Sequence, residues 1–286
     1  MPAPFVTRFA PSPTGLLHRG HAFSALTAFE AARAAGGRFL LLIVDIDAAR
    51  RRPEFEAAIY DDLAWLGIAW ERPARRQSEH LDDHAAALER LGARGLLYRC
   101  FRTRREVLDE IGRAPHGAEP APFQGAPLPE AEEAARLSRG EAFAWRLSLQ
   151  AAWRALGAGW DDLAFTEEGA GPDGQTGLIK AEPARAGDVI LARKGVGVAY
   201  HLAVVVDDAL QGISCVIRGE DLFEAAHIQR LLQALLELPT PVCRHHRLLL
   251  RPDGHRFAKR DTAETLRSLR ASGVQPAELR RQLGFG

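Results

Sequence analysis

The feature that most constrains this chain is a change of periodicity close to its start. Phe5, Val6 and Phe9 form a short apolar run with strand character, and it stops at Pro11 and Pro13, which lack the amide donor that a ladder needs. Apolar residues then recur at Ala22, Phe23, Ala25, Leu26, Phe29 and Ala32, the spacing of one buried helix face, and Gly36-Gly37 ends that helix. Between strand and helix lies His18-Arg19-Gly20-His21. Strand, glycine-bearing turn and helix open a nucleotide-binding βαβ unit. Free amides and the helix dipole favour an anion at that N-terminus, and Gly20 is expected to let a ligand approach the backbone. Two imidazoles stand where phosphates would lie. On its own, a His-x-Gly-His quartet is a weak signal.

The same alternation continues downstream. The apolar run 39–44 reads as a central parallel strand closed by Asp45-Ile46-Asp47, with carboxylates at its carboxyl end. Pro53 starts a helix through Phe55, Ile59, Leu63 and Leu66, and Ser78 is the expected N-cap of another that runs to Gly92. Residues 96–101 read as a third strand of the sheet. Residues 102–187 are proline- and glycine-rich at first, then carry a helix over 130–137 and an alternating strand over 143–149, an insertion between two halves of the sheet. The sheet is expected to resume with strands at 188–191, 200–208 and 213–221. In the last, Arg218 stands at a strand end beside Gly219, and Asp221 is the expected cap of a helix over 222–236. A glycine-bearing basic loop over 251–260 contains Lys259, and Asp261 with Glu264 forms a capping box for the next helix. The predicted fold is α/β: a doubly wound parallel, Rossmann-like nucleotide-binding sheet with an inserted α+β subdomain and a short C-terminal helical piece. The expected divisions are 1–101, 102–187, 188–240 and 241–286.

Composition narrows the class of protein. With 47% apolar and 26% charged residues in 286, the chain is an ordinary globular one. No membrane-spanning run and no apolar leader occur, which leads to the expectation of a cytoplasmic protein without a membrane partner. Net charge is zero, so RNA would have to be met by local basic patches. Arg50-Arg51-Arg52, Arg72/Arg75/Arg76 and Arg102/Arg104/Arg105 are the candidates. Of 37 cationic residues only Lys180, Lys194 and Lys259 are lysine. A compact ammonium on a flexible stem suits a phosphate that moves during reaction, which singles out Lys259. Cys100, Cys215 and Cys243 are too scattered to signal a disulfide framework or a zinc site.

The string Thr7-Arg8-Phe9-Ala10-Pro11-Ser12-Pro13-Thr14-Gly15, with His18 and His21 after it, resembles the first signature of class I aminoacyl-tRNA synthetases in its glutamyl form. The loop around Lys259 resembles their second, the Lys-Met-Ser-Lys-Ser loop. These matches run from Thr7 to Asp261, and no room is left after them for an anticodon-binding domain. The chain is therefore similar to the short paralogous family of glutamyl-queuosine synthetases, which activate glutamate with ATP without tRNA and attach it to the queuosine base in the anticodon loop of tRNA(Asp). The resemblance implies that His18, Gly20, His21 and Lys259 serve ATP, that Mg2+ comes with the ATP, and that His18, His21 and Lys259 act in catalysis. It implies an amino-acid site made by Arg8, Ala10, Ser12, Tyr200 and Arg218.

Three departures from the family pattern stand out. Leu42 and Val44 replace an Arg and a Glu, and that Glu helps hold the α-ammonium of glutamate; Asp45 or Asp47 is the available substitute. Around Cys100, Arg102, Arg113 and Gly117 occupy the other zinc-ligand places, His116 alone does not replace them, and no metal is expected. In the basic loop, Arg256 and Ala258 replace Lys and Ser. Two other readings stay open: a class I-like adenylyltransferase or ligase acting on another carboxylic acid, and a non-catalytic paralogue that binds RNA or a metabolite.

Overall fold

All four residues of β1 (Val6–Phe9) are buried, as a strand at the centre of a sheet requires. The computed structural model to which it belongs describes residues 4–103, 105–107, 122–194, 197–249 and 265–286. β1 pairs in parallel with β2 (Arg38–Ile43), and β2 pairs in parallel with β3 (Glu71–Arg76). Helices α1 (Arg19–Ala34) and α2 (Pro53–Trp65) make the crossovers. A second group is formed by β10 (Cys215–Gly219), β11 (Val242–His246) and β6 (Ala164–Glu167), all parallel, with β7 (Gly177–Lys180) antiparallel on β6. The two groups meet at β1 and β10. There Ser214 N donates to the Val6 carbonyl at 2.9 Å, and Val6 N donates to Ser214 Oγ at 2.8 Å. The order β3-β2-β1-β10-β11-β6 reverses direction at that seam, the switch point of a doubly wound sheet.

Side chains on β2 alternate between two cores. Phe39, Leu41 and Ile43 join α1, α2 and the C-terminal helices α8 (Leu266–Ala271) and α9 (Pro276–Gln282) on one face. Leu42 joins the other face, made with α3 (Leu81–Ala93), α6 (Tyr200–Leu210) and α7 (Phe223–Leu235). Between them in the chain come α4 (Glu130–Ser138) and α5 (Leu149–Leu156). No helix among the described residues is long and apolar enough to cross a membrane.

Several local expectations are corrected. Residues 200–208 are helix, not strand: α6 is buried on every side from Leu202 through Asp208, so it has no polar stripe to reveal a helical period. The third strand expected in the parallel sheet, β4 (Leu97–Cys100), belongs instead to a separate antiparallel sheet with β5 (Ala144–Leu147), β8 (Ile190–Arg193) and β9 (Gly197–Val198). The third strand on β2 is β3, whose polar Glu-Arg-Pro-Ala-Arg-Arg sequence gives no strand signal; Pro73 is tolerated because β3 is an edge. Ser78 caps no helix: α3 starts after His80, and Ser78 N and Oγ both donate to Asp45, at 2.8 and 2.5 Å. Asp221 does not cap α7 either, since a short 3-10 turn (Glu220–Leu222) precedes it. The capping box of Asp261 and Glu264 lies outside the described residues.

Candidate active site

A cavity of about 390 Å3 opens at the carboxyl ends of β1 and β10. Arg8, Ala10, Ser12, His18, Gly20, His21, Tyr200 and Arg218, eight residues singled out in the sequence, all line it. Lys259 lies outside the described residues. The two sides of the segment that contains it do not: Leu248 and Leu249 line the cavity, and Thr265 forms a β-bridge with His18.

The histidine pair is built by the start of α1. His18 is the N-cap; its Nδ1 accepts from Gly20 N at 3.1 Å, while His21 Nδ1 accepts from His18 N at 3.2 Å. Both are local bonds that satisfy amides the helix leaves open. An Nδ1 that accepts carries no proton, so each neutral ring bears its proton on Nε2 and can donate there. The rings lie 3.8 Å apart, centroid to centroid. A Cβ on Gly20 would lie 3.0 Å from His18 Cε1, so glycine here also makes room for the His18 ring.

Both arginines are held from behind. Arg8 is buried and donates through Nε and Nη2 to the Asp208 carboxylate at 2.8 and 3.1 Å. Among the described residues its Nη1 has no hydrogen bond. Arg218 donates through Nε to His245 Nε2 at 2.9 Å and through Nη1 to Gln229 Oε1 at 2.8 Å; its buried Nη2 has no partner among the described residues. His245 Nδ1 meets Glu167 Oε2 at 2.5 Å, and His245 N donates to Glu167 Oε1 at 2.8 Å. Because Nε2 accepts from Arg218, Nδ1 must carry the proton, and His245 is neutral. Burial lowers its pKa, and the Arg218 charge acts the same way, outweighing Glu167. Arg8 keeps N–H donors on Nη1 and Nη2, and Arg218 on Nη2, that these bonds do not use.

The supporting residues Glu167, Gln229 and His245 were not expected, and neither was His246, which lines the cavity and is 3.0 Å from Ser24 Oγ through Nε2. Glu167, His245 and His246 lie on strands that the sequence left unassigned, whereas Gln229 lies on the helix expected over 222–236. The substitutes for the missing carboxylate at position 44 are both committed. Asp45 binds Ser78 and Arg51, Asp47 binds Arg50, and neither lines the cavity. Among the described residues, Asp221 is the one acidic residue in the cavity's lining. Val44 is half-buried against the core that Ala10 and Tyr200 also touch.

The arginine clusters are largely engaged. Arg75 pairs with Asp207 and Asp83, and Arg76 with Glu56 and Glu79. Arg104 lies outside the described residues. Cys100 is buried beside Tyr98, Val107 and Phe123, whereas positions 113, 116 and 117 lie outside the described residues.

A family profile described as tRNA synthetases class I (E and Q), catalytic domain, matches residues 4–151 and 166–285. The chain belongs to that family. Among relatives of the synthetase, a glutamyl-Q tRNA(Asp) synthetase of Rhodobacter capsulatus is 47% identical over 98% of this chain and 100% of its own length. Another with that name, from Symbiobacterium thermophilum, is 40% identical over 94% of this chain and 82% of its own. A solved structure of a glutamate tRNA ligase from Elizabethkingia meningosepticum, in complex with its amino acid, superposes with a TM-score of 0.72 at 26% identity. That match covers 90% of the synthetase and 52% of the ligase chain, so the synthetase spans about half the length of that structure.

Proposed function

We propose that the synthetase activates glutamate with ATP, without needing tRNA, and transfers it to the queuosine base in the anticodon loop of tRNA(Asp). The observation that carries this reading is the convergence of Arg8, Tyr200, Arg218 and the His18–His21 pair on one cavity at the strand switch point. Names of full-length relatives supply the substrate and the RNA. A cytoplasmic location goes with these substrates.

In this reading, a carboxylate oxygen of glutamate attacks the α-phosphorus of ATP in line. The bond from that phosphorus to the bridging oxygen breaks, and pyrophosphate leaves with Mg2+ that entered with the ATP. The chain's work is positioning and charge stabilisation. His18 and His21 donate from Nε2 to phosphate oxygens. Arg8 Nη1 and Arg218 Nη2 together hold the other carboxylate of glutamate, one nitrogen from each side, with Tyr200, Ala10 and Ser12 around the amino acid. Lys259, in the loop that resembles the second signature, meets the departing pyrophosphate with its ammonium.

Pyrophosphate exchange into ATP tests the first step. Glutamate supports exchange with no RNA present, and Lys259→Ala slows it about 100-fold, the usual cost of losing one transition-state donor. Exchange with another dicarboxylate but not with glutamate would assign the cavity to a different acid.

A further inference from the structure

A second cavity, of about 450 Å3, lies between α3 and the antiparallel sheet. Its walls are apolar, with Leu81, Leu88, Trp145 and Val198 among them, and Leu81 is half exposed. Among the described residues its charged lining is Arg51, Arg193 and Lys194, with no carboxylate. Arg51 is paired with Asp45, but Arg193 and Lys194 are exposed and have no ion pair among the described residues.

Trp145 is a fixed platform. On β5 it sits opposite Arg99 of β4, whose guanidinium lies 4.5 Å from the indole centroid, and Phe143 meets it edge-on at 5.6 Å. Arg99 is itself held by Glu133. A rigid aromatic ring in an apolar recess rimmed by unneutralised cations fits a planar base joined to a phosphate. Such pairings are how unpaired nucleic acid is bound without sequence readout.

Position strengthens the match. Ile46 and Ala48 follow β2 and Ser78 follows β3, and all three line this cavity; residues 10–12, after β1, line the first. Both cavities therefore have walls at the carboxyl edge of one parallel sheet, the first after β1 and the second after β2 and β3. An unpaired strand that enters the first is led along that edge to the second.

We infer that the second cavity takes an unpaired nucleotide of the RNA substrate, its base stacked on Trp145 and its phosphate held by Arg193 and Lys194. This rests on the reading that a single-stranded RNA loop enters the first cavity. None of the three residues contributes to that first cavity.

The test measures RNA binding by the whole chain, using a queuosine-bearing tRNA(Asp) anticodon stem-loop and intact tRNA(Asp) at several salt concentrations. Arg193→Glu with Lys194→Glu raises Kd at least about 10-fold and lowers the salt slope by about 1 to 2. Trp145→Leu raises Kd about 10-fold, and Trp145→Phe, which keeps a ring, restores it. Glutamate-dependent pyrophosphate exchange stays at the wild-type rate in each variant. Wild-type Kd in the charge-reversed variant, or equal Kd for the Leu and Phe variants, overturns the assignment. Failure of the transfer reading looks different: the wild-type protein binds the stem-loop but does not glutamylate it. Wild-type protein that binds neither RNA overturns both.

Discussion

Arg218 is held in the cavity wall by Gln229, which takes a bond from Nη1, and by the Glu167–His245 pair, which takes one from Nε. A hydrogen bond to a buried charge is worth about 1.5–3 kcal/mol, so His245→Ala lowers kcat/KM for glutamate about 10- to 100-fold, chiefly through KM. Steady-state exchange kinetics with varied glutamate measure this, and an unchanged KM would detach the relay from substrate binding. Val44 poses the complementary case. With Asp45 and Asp47 engaged elsewhere, Val44→Glu restores a carboxylate at the position where the family pattern has one and lowers the KM for glutamate about 10-fold. A higher KM would mean that the site is packed around the apolar side chain. At this scale the site was partly legible in the sequence. Arg8, His18, His21, Tyr200 and Arg218 stand in motifs at strand or helix ends, and motif position is readable. Glu167 and His245 are 78 residues apart, and no spacing rule joins them until β6 and β11 pair.

The elements were legible where a polar face marks the period, as in α1 and α2, and illegible where burial removes it. α6 contains Val204, Val205 and Val206 and shows no stripe, yet its helical form explains Asp207 and Asp208. Side chains about 100° apart around a helix serve two strands: Asp208 binds Arg8 on β1, and Asp207 binds Arg75 on β3, Gln77 and His84. A strand would have sent them to opposite faces. β3 was missed for the opposite reason, being all polar at an edge. Helix α2 carries a feature of its own. Asp62 is fully buried, its oxygens have no hydrogen-bond partner among the described residues, and Arg270 on α8 approaches only to 3.9 Å. Burial pushes its carboxyl from 3.8 up to about 6. The folded chain therefore binds this proton more tightly than the unfolded one, and stability is lost as pH rises from about 4 to about 6. Asp62→Asn removes that penalty: urea unfolding shows a gain on the order of 1–3 kcal/mol at pH 7.5 and little difference at pH 4. A loss at pH 7.5 would mean that Arg270 outweighs burial.

At the scale of the whole molecule, the doubly wound sheet brings the histidine pair, both arginines and Tyr200 to one edge, where the first signature and the strand alternation place a ligand. The antiparallel sheet, formed from β4, β5, β8 and β9, was less legible because β4, β5 and β8 are far apart in the chain and their pairing follows from tertiary contact alone. It sets a second cavity, with cations on its rim, beside the first. The destination of the glutamyl group decides the account most directly. A queuosine-bearing anticodon stem-loop of tRNA(Asp), with no acceptor arm, is offered to the protein with labelled glutamate and ATP, alongside intact tRNA(Asp) from a queuosine-deficient host. The account predicts label on the stem-loop and none on the queuosine-free tRNA. Label on the 3′ terminal adenosine, independent of queuosine, would contradict it.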